Sequence, residues 1–226
     1  MPDDRRTFLG RLAAGAALAG AGVSLPSRGG AESPPAPRPA PRAGEWDVSW
    51  TQKLNGAHRG LFDSPEISSG LALLRALVFI KDYGDVYGAK PEEMNSVVVL
   101  RHNAIWLIMN DEFWSHHHIG ALTKIIDPKS RAPINRNPVL GPSPWAGLPP
   151  EANGSLTKVL GAGTVLACNL AFHDVVEKVQ SDTRMDEAKA REMALAHIVP
   201  GIILQPSGVF AVTRAQEAGC QYMLAS

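Results

Sequence analysis

Ser96-Val97-Val98-Val99-Leu100 is an unbroken apolar, β-branched run, the composition of a strand covered on both faces rather than half-exposed. Four further short stretches read as strands: Gly60-Leu61-Phe62-Asp63, Gly163 to Cys168, Ile202-Ile203-Leu204-Gln205 and Gln221 to Leu224. Helical patterns separate them. Ser64-Pro65-Glu66 offers a cap, a proline at the first helical position and an early acid. Ile67, Leu71, Leu74, Leu77 and Val78 then recur at helical spacing to about Tyr83. Ala104 to Trp114 reads as helix, as do Ser155 to Leu160 before Gly161, Leu170 to Val179, and Arg184 to His197. Ser207 caps a last helix to Ala218, with Gly219 as its stop. Strands alternating with helices predict a three-layer α/β domain whose mainly parallel sheet has about five strands and right-handed crossovers.

In such sheets ligands sit beyond the carboxyl ends of the strands. That rule selects one rim from this sequence: Asp63, Arg101 to Asn103, Cys168 with Asn169, and Pro206 with Ser207. From Asp127 to Pro150 the pattern dissolves, with seven prolines in 24 residues. The whole stretch 115–150 is read as a long irregular loop. Its Lys124, Lys129, Arg131 and Arg136 are candidates to meet an anion as a lid, or to make an oligomer contact.

The amino-terminal part reads as an address. Arg5 and Arg6 precede Phe8-Leu9, and a mild Ala/Gly-rich stretch runs from Leu12 to Leu25 before Pro26, the layout of a twin-arginine export signal. Residues 1–31 are assigned to that signal, with cleavage at Gly29-Gly30-Ala31 and Ala19-Gly20-Ala21 as second choice. The stretch is too short and mild for a stable span, so no membrane span is expected after cleavage. Residues 32–45 follow as a proline-rich tether, five prolines falling among residues 33–44, and 46–226 as the folded domain. Export by this route makes the expected location periplasmic and the export machinery the first partner.

The 226 residues carry 22 basic and 22 acidic side chains and are 45% hydrophobic, a globular composition without the charge excess of a nucleic-acid binder. No nucleic-acid partner is expected. No GxGxxG, Walker loop, nucleophile elbow or HExxH occurs, so nucleotide-dependent, lipase-type and zinc-protease chemistries lose their usual evidence. No motif requires a cofactor. Two cysteines cannot make a disulfide scaffold. Cys168 ends a strand and precedes a helix, where amide N–H groups stabilise a thiolate. Cys220 begins a strand and is read as core packing. Opposite strand ends keep the two beyond bridging distance, so no bond between them is expected.

His116-His117-His118 offers imidazoles for zinc, copper or iron. Consecutive residues cannot all point one way, so a metal site there needs His102, His173 or a carboxylate as well. The alternative is an exposed or interface cluster. Adjacent Asp111 and Glu112 after Asn110 point apart on a helix and read as a solvated end.

Several stretches together resemble the DsrE-like family of small α/β proteins. They are Val97 to Ala104 with Asn110-Asp111-Glu112, Leu166-Ala167-Cys168-Asn169, Val199 to Val209, and Ala215 to Tyr222. The resemblance covers roughly residues 58–226, with 115–150 longer than the family's compact pattern. It implies a flavodoxin-like or related three-layer fold, often a trimer or hexamer, and places Cys168 where the sulfur-relay members carry persulfide sulfur. The activity implied is at most that of a sulfur carrier or sulfurtransferase, with His102, Asn103, Asn169, Ser207 and Asp63 around the pocket. The relay members are cytoplasmic, whereas this chain reads as exported. The rival reading is a non-catalytic periplasmic binding or scaffold oligomer for a metal, small ligand or protein partner.

Overall fold

The computed structural model describes residues 46–225; the twin-arginine stretch, the cleavage positions and the tether lie outside the described residues. Five strands form one sheet: β1 (His58–Ser64), β2 (Met94–Leu100), β3 (Thr164–Cys168), β4 (Ile203–Gln205) and β5 (Gln221–Leu224). Their order is β4-β3-β2-β1-β5 and every pairing is parallel. The helices are α1 (Leu71–Tyr87), α2 (Asp111–His116), α3 (Ile119–Thr123), α4 (Ser155–Ala162), α5 (Asn169–Thr183), α6 (Glu187–Ala196) and α7 (Gly208–Glu217).

Side chains alternate across a strand, and the two faces of this sheet belong to two different cores. Phe62, Val98, Leu100, Val165 and Ala167 pack with Leu73 of α1, Val159 of α4 and Phe172 of α5. Leu61, Val97, Val99 and Leu166 pack with Ala211 and Ala215 of α7 and with Trp50. The Val97 to Leu100 run is completely buried because both faces are occupied, which makes this a three-layer α/β fold. Trp50 sits in a 3₁₀ turn, Ser49–Lys53. Its indole N–H donates to Gln205 Oε1 at 3.2 Å, and Gln205 Nε2 donates to the Asp47 carbonyl at 2.7 Å, which ties the start of the domain to β4.

Four local expectations change. Ser64 does not cap a helix: it is the last residue of β1, paired with Leu100, and its hydroxyl donates to the Glu66 carbonyl at 2.8 Å. Strand pairing outcompetes the Ser-Pro-Glu start signal, and α1 begins after Ser68, Ser69 and Gly70, whose φ values are +37°, +57° and +71°. Ala104 to Trp114 is not one helix. A 3₁₀ turn, His102–Ile108, is followed by an extended Met109 bridged to Ile198. Asn110 then accepts the Phe113 N–H at 2.9 Å and starts α2. Gly161 lies inside α4 instead of stopping it. The helix expected from Arg184 starts at Glu187, where Asp186 accepts the Lys189 N–H at 3.0 Å.

The stretch 115–150 contains α3 and then runs irregularly, but it is packed down. Ile125, Ile134 and Val139 are buried in the larger core. Asn137, fully buried, donates from Nδ2 to the carbonyls of Leu107 at 2.8 Å and Met109 at 2.6 Å. Its own N–H donates to Asp111 Oδ1 at 2.8 Å, which gives that carboxylate a structural partner. The excursion is therefore part of the core layer on the α1 side.

Candidate functional site

The steps from β1 to β2, β3 and β4 run one way across the sheet, and the step from β4 to β5 returns. Right-handed crossovers then place α1, α4 and α5 on one face and α7 on the other, as the two cores require. Adjacent strands β3 and β4 thus send the chain to opposite faces, and a crevice opens beyond their carboxyl ends. A cleft of about 300 Å³ lies there, with Arg101, His102, Cys168, Asp174, Ser207 and Val209 among its walls.

Two helices begin at this cleft. Cys168 is both the last residue of β3 and the N-cap of α5, its Sγ accepting the Ala171 N–H at 3.4 Å. Ser207 caps α7, its Oγ accepting the Phe210 N–H at 3.0 Å. The positive ends of both helix dipoles therefore border one volume. Cys168 is 6% exposed and lines the cleft. Leu170 and Val209, 63% and 73% exposed, form an apolar mouth around it.

Arg101, just past β2, is the fixed cation of the site. Its Nε and Nη2 donate to Asp63 Oδ1 and Oδ2 at 2.7 and 2.9 Å, and Tyr222 Oη donates to Asp63 Oδ2 at 3.0 Å. The Asp63 hydrogen bond raises the guanidinium above its ordinary value against the cost of burial, with Tyr222 and Cys168 adding smaller contributions. Burial first, and then Asp63, also raise the Tyr222 hydroxyl. Asp63 is nearly enclosed and acts on the cleft through Arg101. Gly208 lets that guanidinium arm pass: a Cβ there would lie 2.4 Å from Arg101 Cδ and 2.8 Å from Arg101 Cβ. Gly208→Ala is expected to lose about 1–3 kcal/mol, read as a lower urea midpoint; an unchanged midpoint would show that Arg101 yields without cost.

The other expected pocket residues divide. His102, at φ +51°, is largely exposed, and its Nδ1 lies 3.5 Å from Glu66 Oε1. Asn103 Nδ2 donates to Glu66 Oε2 at 2.8 Å and borders a neighbouring, wider cleft. The Asn169 side-chain oxygen accepts a hydrogen bond from Arg191 of α6 and does not line the Cys168 cleft. Of the expected set, Cys168, His102 and Ser207 share one wall. Asp174, Leu170 and Val209 were not singled out from the sequence. An apolar second residue in each capped helix, where polar groups are usual, was the available signal for the last two.

No family model and no curated protein matches the chain. Among solved structures, the chain is similar to a protein of unknown function, MTH1491 from Methanobacterium thermoautotrophicum, with a TM-score of 0.40 and 15% identity over 74% of this chain and 98% of that one.

The three consecutive histidines do not converge. His116 is exposed, His118 takes a left-handed conformation at the start of α3, and His117 is buried. His117 Nδ1 lies 2.7 Å from Asp182 Oδ2 of α5, and its ring lies 4.3 Å from that of Phe113. Among the described residues, no group of three His, Cys, Asp or Glu is placed to hold a metal. The cluster supplies a packing contact between α2 and α5. His173 is exposed on α5 and is absent from the cleft wall, as are Lys124, Lys129, Arg131 and Arg136; the last donates to the Pro142 carbonyl.

Burial pushes the His117 imidazole below its ordinary value, and the Asp182 hydrogen bond offsets this only in part. Burial opposes ionisation of Asp182, but the hydrogen bonds from Lys178 and His117 outweigh it and lower that carboxyl. His117 is thus neutral in the fold and donates Nδ1–H to an ionised carboxylate. The unfolded chain takes up this proton near pH ~6.5, so it binds more protons than the native state, and stability falls as pH drops through that value toward the lower folded pKa. His117→Asn keeps a donor and removes the titration. Its urea midpoint is expected to fall less steeply than wild type between pH ~7.5 and ~5.5; parallel slopes would assign the effect to another group.

Both cysteines are free and buried. Cys220 precedes β5, three steps across the sheet from β3, which is about 14 Å at the usual strand spacing. Burial pushes its thiol up to about 11, with Arg59 opposing, so Cys220 stays protonated and serves the smaller core.

Proposed function

We propose that this protein is an exported, DsrE-like carrier of reactive sulfur, with Cys168 as the carrying residue. The observation that supports this most directly is the placement of Cys168 Sγ: it accepts the Ala171 N–H at the start of α5 and borders a cleft between two helix N-termini. In the reaction the Cys168 thiolate attacks the terminal sulfur of a donor persulfide. The new S–S bond forms as the donor's S–S bond breaks, and the donor leaves as its thiolate. No net oxidation occurs, so no further reductant or oxidant is consumed. The N–H donors beyond Cys168 face the charge that remains on the carried sulfur, and Arg101 adds a fixed positive charge nearby.

The experiment is intact mass of protein recovered from the periplasm without reductant, before and after a persulfide donor, then after reduction. A reducible gain of one sulfur atom on Cys168, lost in Cys168→Ser with folding unchanged, is the expected result. The same spectrum reads export, through cleavage near Ala31. A sulfur adduct that persists in Cys168→Ser sinks the carrier reading. An inert Cys168 leaves a binding role, for which the exposed Leu170 and Val209 at the mouth are the supporting feature. Assembly as a homo-oligomer belongs to the same proposal. The edge strand β5, with Tyr222, Met223 and Leu224 all exposed, is the surface that supports it, and sedimentation velocity tests it.

A further inference from the structure

Beside the Cys168 cleft lies a wider one of about 730 Å³, walled by the turn after β1, the 3₁₀ turn, the end of α3 and the first turns of α5. Volumes of this size take whole small molecules. We propose that it binds a small organic ammonium ion that also carries a hydrogen-bond acceptor.

The acceptor requirement comes from Trp106. This residue is 8% exposed, and its indole N–H donates to none of the described residues. Trp50 and Trp114 are buried too, and their N–H groups are satisfied, by Gln205 Oε1 at 3.2 Å and the Trp106 carbonyl at 2.9 Å. Buried indole N–H groups find partners as a rule. Trp106 Nε1 is not among the fully enclosed unpaired atoms of the described residues, which are Ser96 Oγ and Arg136 Nη1, and Trp106 lines the cleft. An acceptor on a ligand completes it.

The positive charge follows from the rest of the wall. Glu66 and Asp174 both border the cleft, and no lysine or arginine does. Asn103 fixes one Glu66 oxygen, whereas Asp174 makes no hydrogen bond or ion pair among the described residues. Ile67 and Leu122 supply apolar surface between these groups, suited to a short alkyl body. Ammonium–carboxylate hydrogen bonds are the strong kind. Asp174 also borders the Cys168 cleft, yet the inference does not rest on sulfur chemistry.

The test is calorimetric titration of the full chain with three probes of equal length: 3-ethoxypropylammonium, hexylammonium and neutral 3-ethoxypropanol. The ether ammonium is expected to bind best and the neutral ether about tenfold more weakly. Asp174→Asn and Glu66→Gln should each weaken the ammonium probes about tenfold. Trp106→Phe keeps an aromatic ring and should abolish the preference of the ether ammonium over hexylammonium. Cys168→Ser should bind all three as wild type does, so a failure of the sulfur reading leaves this result standing. Circular dichroism checks the fold of each variant; Asp174, exposed on a regular helix, is the substitution least coupled to folding. Equal affinity for charged and neutral ethers, retained affinity in folded Asp174→Asn, or no binding of any probe overturns the proposal.

Discussion

Gly120→Ala is expected to cost about 3 kcal/mol or more of folding stability, the upper range for an overpacked core. A Cβ at Gly120 would stand 1.9 Å from the Ile134 carbonyl oxygen and 2.8 Å from Ile134 C and N. Those are backbone atoms, and they are held: Ile134 N–H donates to the Ile125 carbonyl at 2.9 Å, and Ile125 N–H donates to the Gly120 carbonyl at 3.0 Å. Relief requires the whole return strand of the excursion to lift from α3, which exposes Ile125 and Ile134. Urea denaturation checks this; a loss below about 1 kcal/mol would mean that the segment repacks freely.

Asn137→Ala is expected to be of similar size, about 3–5 kcal/mol, because each buried backbone group left without its partner costs about 1–3 kcal/mol. The Asn137 amide serves three such groups: it donates to the Leu107 and Met109 carbonyls, and its Oδ1 accepts the Val139 N–H at 3.1 Å. Asn137→Asp keeps the shape but aims a carboxylate at two carbonyl oxygens, so it should be no milder. Hydrogen exchange localises the effect: amides of 102–110 and 137–140 should lose protection before those of β1 to β3. Uniform loss across the sheet would instead show that the excursion and the sheet open as one unit.

These two residues also mark what was legible in the sequence. The buried strands were, since Val97 to Leu100 needs no knowledge of its neighbours to read as covered on both faces. The helix cap at Ser207 was, because a cap acts within three residues, and so was the place of Cys168 between a strand and a helix. Gly120 and Asn137 were not: one answers to Ile134 and the other to Leu107 and Met109, contacts that no local period records. The same holds for the start of α1, where a complete helix-start signal at Ser64 yields to pairing with Leu100. Within the candidate site, Cys168, His102 and Ser207 followed from the rule on strand ends. Asp174 and Trp106 enter only because α5 and the 3₁₀ turn come to lie beside each other. The histidine run misled by its prominence: the His116 and His117 rings meet edge to face, but His117 turns to Asp182 and the three do not converge on one point.

Every strand pair but one joins consecutive strands; the exception sets Gly60 beside Gln221. Four strands can therefore assemble by successive crossovers of moderate length, while β5 closes a loop spanning nearly the whole domain. Loop-closure entropy rises only slowly with length, but such distant pairings slow folding. Docking of β5 delivers Tyr222 to Asp63, which already holds Arg101. In kinetic terms, the Tyr222 anchor behind Arg101 is expected to form with the most distant contact in the topology, whereas the Cys168 side follows from the local step from β3 into α5.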